Sequence, residues 1–180
     1  MKTTRLITTI AFAFLMLLSF DAKAQNFRGL DVSPMDAAYL GLGNEQVLKV
    51  YYSRPQLKGR DLKSLTPNGK LLTTGANEGV ALILNADMNL NGTLIKAGTY
   101  SLYTIPGDEN WEVIVSSNIN NLATRGYSED NKVASISVPV TEGKESLEAF
   151  SMAFEKSDDG VHLHMGWGTM RIAVPFVLAK

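Results

Sequence analysis

Between Tyr51 and Arg60 the chain reads YYSRPQLKGR, which sets Arg54, Lys58 and Arg60 close together behind a run with strand character. A guanidinium presents its N–H groups as a planar fork that fits a carboxylate, sulfate or phosphate, so Arg54 and Arg60 point to anion recognition. The plainer reading is a solvated loop whose arginines pair with the protein's own acids. A second polar stretch, Thr73–Gly79 (TTGANEG), lies between apolar runs. Asn77 there can donate and accept hydrogen bonds. Glu78 can serve as an acid or base, or as a partner for Arg54 or Arg60. An ion pair between the two loops would position them without performing chemistry.

Two further groups suggest metals. His162 and His164 stand two apart in VHLHMGW, so on a strand both imidazoles share one face and can approach one ion. Leu163, Met165 and Trp167 would then occupy the opposite, buried face. A catalytic zinc needs a third protein ligand, and two polar residues on a solvent face explain the pair equally well. Asp87–Gly92 (DMNLNG) matches the first half of a calcium loop, but Gly98 stands where that loop requires a bidentate glutamate. Asn91-Gly92 fits a two-residue hairpin better. The chain shows no G-x-S-x-G elbow, no phosphate-cradling glycine loop and no H-E-x-x-H. It contains no cysteine, which excludes thiol catalysis and Cys-ligated metals.

The elements that must position these residues read as strands. Val47–Ser53, Gly98–Ile105, Val133–Val140 and Leu147–Phe154 alternate, and Val80–Leu84 is apolar throughout. Trp111–Val115, Val161–Trp167 and Met170–Val177 complete the set, the last two separated by Gly168-Thr169. Pro139 marks an edge or a bulge. About nine closely spaced strands predict an all-β fold, an antiparallel sandwich of jelly-roll-like type. Ser33-Pro34 before Met35–Leu40 predicts at most one short helical turn near the start of the domain.

The first 24 residues have another character: a basic start (Met1–Arg5), an uncharged run Leu6–Phe20 and an Ala22-x-Ala24 site. These are the parts of a cleavable signal peptide. The apolar run falls short of the roughly 20 residues a membrane-spanning helix needs. The expected mature protein is one domain, residues 25–180, exported to the periplasm or secreted, with no stable membrane insertion after cleavage. Loss of Lys2, Arg5, Lys23 and Asp21 leaves 14 basic and 17 acidic side chains, a formal charge of about −3. That balance argues against a nucleic-acid partner, whose phosphates call for a basic surface.

YSRPQLKGR, TGANE and KAGTYSLYTIPG, in this order and spacing, resemble the exported bacterial family catalogued as domain of unknown function 2911. Asp31–Asp36 (DVSPMD) is similar to a segment of many members, and the likeness covers nearly all of the mature chain. It places Arg54, Lys58, Arg60, Asn77 and Glu78 in the family's signature segments, and brings no catalytic residue or cofactor with it. There are departures: members usually carry Trp-Arg where this chain has Leu72-Thr73. They often carry Trp-Gly where it runs Asn118–Tyr127 without tryptophan. The expectation is a binding or structural module for a small polar or anionic ligand or a glycan. The expected ligand-binding residues are Arg54, Lys58, Arg60, Asn77 and Glu78, with no cofactor. The alternative is a hydrolase using Glu78, or a metal held by His162 and His164.

Overall fold

A computed structural model describes residues 25–41, 47–119 and 123–179; the predicted signal peptide lies outside the described residues. Two units are distinguished, Met1–Leu30 and Asp31–Lys180. The described part of the first, residues 25–30, has no regular secondary structure, and every strand belongs to the second.

Among the described residues ten strands form two antiparallel sheets. The larger contains β1 (Met35–Leu40), β2 (Leu48–Ser53), β3 (Val80–Leu84), β6 (Gly98–Ile105), β7 (Asn110–Ser116) and β8 (Lys132–Pro139), in the order β1-β2-β3-β6-β7-β8. The smaller contains β4 (Met88–Leu90), β5 (Thr93–Ile95), β9 (Thr141–Lys156) and β10 (Gly160–Leu178), in the order β5-β4-β10-β9. Among the described residues, helix is confined to one turn, α1 (Leu62–Leu65), and 3-10 turns at Ala123–Gly126 and Glu129–Asn131.

The sandwich follows from alternation. Leu48, Val50 and Tyr52 on β2, and Val80, Leu82 and Leu84 on β3, all turn inward. They meet Phe150, Met152, Leu163 and Met165 from the smaller sheet in one continuous core. Each such side chain removed from water contributes about 1.5–3 kcal/mol. Tyr52 ties the layers more specifically: its hydroxyl accepts the Met152 amide at 2.9 Å, and its ring meets Phe150 edge-on. Asn91 and Gly92 both take positive φ, 50° and 79°, and make the tight turn between β4 and β5 that this dipeptide favours. Pro139 ends β8, an edge strand, where a missing N–H does no harm.

Two expectations need correction. Met35–Leu40 is a strand, not a helical turn. An isolated helical turn is costly to nucleate, whereas β1 pairs along its whole length, from Met35 opposite Ser53 to Leu40 opposite Leu48. The closing strands at Val161–Trp167 and Met170–Val177 form one uninterrupted element, β10, of 19 residues. Fully extended it would run about 60 Å, yet its ends touch: the Leu178 amide donates to the Asp159 carbonyl at 3.1 Å. β10 therefore folds back on itself at Gly168-Thr169, where Gly168 takes φ 56°. The buried residues are odd-numbered before the fold (Val161, Leu163, Met165, Trp167) and even-numbered after it (Met170, Ile172, Val174, Phe176). Arg171 braces the bend, donating from Nη1 to the Gly168 and Met170 carbonyls and from Nη2 to the Glu145 carbonyl.

Candidate functional site

Arg54 leaves β2 with its whole fork engaged by the protein. Nη1 donates to Asp36 Oδ2 on β1 at 2.9 Å, Nη2 to Ser151 Oγ on β9 at 2.8 Å, and Nε to the Phe150 carbonyl at 3.2 Å. The residue joins one sheet to the other. It does not pair with Glu78.

The next residues extend that junction. The Pro55 carbonyl accepts the Phe150 amide at 2.9 Å, and the Leu57 amide donates to the Glu148 carbonyl at 2.8 Å, so Pro55–Leu57 lies along β9 as a short added rung. Glu148 then accepts the Lys58 amide through Oε1 at 2.7 Å. Lys58 and Gly59, with φ 49° and 73°, turn the chain back. Glycine takes this left-handed conformation without the steric cost other residues meet. Arg60 folds against the rung it has just left, donating from Nε to the Leu57 carbonyl and from Nη2 to the Gln56 carbonyl. Lys58 and Arg60 are both exposed.

The TGANE loop is shaped by positive φ at Thr74 (58°) and Asn77 (62°). A Cβ on Gly75 would stand 3.0 Å from the Ser53 carbonyl oxygen, so the loop lies close against the end of β2. Asn77 donates through Nδ2 to Asp31 Oδ1 at 3.1 Å, and Asp31 also accepts the Ser33 amide at 2.7 Å. The Ser33 amide first, and Asn77 second, hold the Asp31 carboxyl below the usual range. Glu78 is exposed, and among the described residues it forms no ion pair with Arg54 or Arg60. The expected inter-loop ion pair is replaced by Arg54–Asp36.

What the two loops do share is a cavity of about 560 Å³. Pro55 and Arg60 come to it from the first signature segment, Thr74, Gly75 and Ala76 from the second, and Thr104 from the third. Trp111 and Trp167, the chain's two tryptophans, line it together with Phe150. Phe150 bridges Tyr52 and Trp167 edge-on, with ring centroids 5.9 Å apart in each case, so the aromatic wall continues the core. Thr74 and Thr104 are buried, and their hydroxyls lie 3.3 Å apart. The antiparallel bridge between Leu72 and Thr104 holds the TGANE approach against β6. Leu72, Thr73 and Thr124, in the two segments that depart from the expected family pattern, line the same cavity.

Of the five residues expected to bind ligand, Arg60 lines the cavity; Arg54, Lys58, Asn77 and Glu78 do not. Sequence reading missed Trp111, Phe150, Trp167 and the Thr74–Thr104 pair. The rarity of tryptophan was the available signal, obscured because both also fit a strand's inward face.

The histidines do share one side of β10, with ring centroids 6.1 Å apart, and His164 Nε2 lies 2.9 Å from Glu155 Oε2. Among the described residues no group of three or more His, Asp or Glu is placed to hold a metal ion, so the metal reading of His162 and His164 lacks its third ligand. Asp87 is a turn residue. It accepts Lys96 Nζ and the Ala97 amide, each at 2.8 Å, and the lysine foremost keeps its carboxyl below the usual range.

No curated protein and no solved structure matches the chain. A family model described as "Protein of unknown function (DUF2911)" matches residues 33–176. That span holds all three signature segments and every cavity-lining residue but Val32. The chain is a member of the DUF2911 family.

Proposed function

We propose that this protein is an exported binding module that takes a small polar or anionic ligand in the cavity between Arg60, the TGANE loop and the tryptophans. One observation carries the reading: three signature segments, far apart in sequence, converge on a single concavity. A cleft of that size, mostly apolar with a few placed polar groups, is the usual form of a small-molecule site. The hydrolase alternative gains nothing here, since the described lining residues include no Asp, Glu or His.

A thermal-shift screen of small anions, acidic and neutral glycans against the protein tests this. A hit should raise the unfolding midpoint, and Arg60→Ala should remove the rise while leaving the ligand-free midpoint nearly unchanged, because Arg60 is exposed. A full panel without a hit, or a hit indifferent to Arg60, overturns the reading. Export is supported by the composition of Met1–Ala24. Mass spectrometry of protein from the periplasm or medium should find a chain starting at Gln25; an intact Met1 in the cytoplasm overturns it.

A further inference from the structure

Resting on that reading, we propose that the cavity selects a small monoanionic amphiphile, with a charged head on Arg60 and an apolar body along the wall of leucines and aromatic rings. Charge is the first argument. Among the described lining residues Arg60 is the sole ionisable side chain, so the wall favours one negative charge and offers a second none. Nε and Nη2 of Arg60 are fixed on the Leu57 and Gln56 carbonyls. The guanidinium is thereby held in place, and Nη1, which has no partner among the described residues, can meet an outside acceptor, an arrangement that loses little entropy on binding.

The wall itself is the second argument. Leu65, Leu71 and Leu72, only partly buried, supply apolar surface, and the nearly buried rings of Trp111, Trp167 and Phe150 back it. A sugar carries hydroxyls around its ring and needs a polar partner for most of them. Here the hydroxyls of Thr66, Thr74 and Thr104 are buried and engaged within the protein, and among the described lining residues Ser33, Thr73 and Thr124 add three that are more open, fewer than a sugar ring and its substituents call for. An aliphatic or aromatic body loses nothing against such a surface.

Third is the inner end. Thr104 is fully buried and Thr74 nearly so, at 0% and 4% exposure, and their hydroxyls bond each other at 3.3 Å. Thr74 donates to Thr104, so the pair satisfies itself inside the wall and leaves Arg60 as the charged point of the lining.

Because both tryptophans of the chain line this cavity, intrinsic fluorescence reports its occupancy directly. The protein would be titrated with octanoate, octanol, octylammonium and glucuronate. Octanoate should perturb the emission with a Kd about tenfold or more below the other three, the effect of one charge-assisted contact. Arg60→Gln should bring octanoate to the affinity of octanol. Equal affinity for octanoate and octanol, or no effect of Arg60→Gln, overturns the proposal. Glucuronate binding in preference to octanoate overturns it but leaves the broader polar-ligand reading standing. Silence from all four probes, together with an empty thermal-shift panel, overturns both.

Discussion

Arg54 and Arg60 stand six residues apart in one segment, and nothing in their types separates them. Their surroundings do. Arg54 is half-buried and answers to Asp36, Ser151 and Phe150, residues from both sheets. Arg60 is exposed and answers to carbonyls three and four residues away. Arg54→Ala should therefore lower stability by about 1–3 kcal/mol, since it strands Asp36 and Ser151. Lysine in its place should recover little, because an ammonium cannot reach three divergent acceptors. Arg60→Ala should cost less than about 0.5 kcal/mol. Denaturant unfolding of the two variants side by side checks the contrast; equal losses would remove the distinction. The chemistry of these residues was legible in the sequence. Which of them the fold would consume was not, because two of the three deciding partners, Phe150 and Ser151, lie 96 and 97 positions away in the chain.

Among the elements, alternation showed most of the strands, and Asn91-Gly92 showed its turn. The single helical expectation failed because long-range pairing with β2 outweighs what a few residues can gain locally. The change of buried parity across Gly168 reads in sequence as two strands, and in space it is one element folded back. That fold-back depends on glycine at its closing end: a Cβ on Gly160 would stand 2.0 Å from the Phe176 carbonyl oxygen. Gly160→Ala should cost on the order of 2–4 kcal/mol, or prevent folding. A Cβ on Gly69 meets nothing within 4 Å, so Gly69→Ala should lose only what its positive φ demands, about 1 kcal/mol. Thermal unfolding of both variants measures the difference. The cavity was hidden at this scale because it lies where loops from three segments meet, and no segment contains it.

For the molecule as a whole, ionisable groups set an acid and an alkaline limit. Asp31, Asp87 and Asp108 are held below the usual carboxyl range, chiefly by the Ser33 amide, Lys96 and Asn68 respectively. Their contribution is complete above the unfolded value near 3.9 and is lost as pH falls through the lower folded values. Tyr52 and Tyr127 are raised mainly by burial, and Lys132 mainly by its bond to Glu112. Their contribution is complete below about pH 10 and is lost as pH rises through the folded values. The unfolding midpoint should fall away on both sides of a broad neutral plateau. Asp87→Asn should shrink the acid limb; an unchanged limb would contradict the role given to Asp87.

The place of β10 in the smaller sheet bears on how the chain is made. It lies between β4 and β9, yet it is the last of the ten strands to leave the ribosome. Until residues 160–178 emerge, the β4–β5 hairpin and β9 have no common neighbour, and the core lacks the inward side chains from Val161 to Phe176. The smaller sheet therefore cannot close until the chain has been made past residue 178.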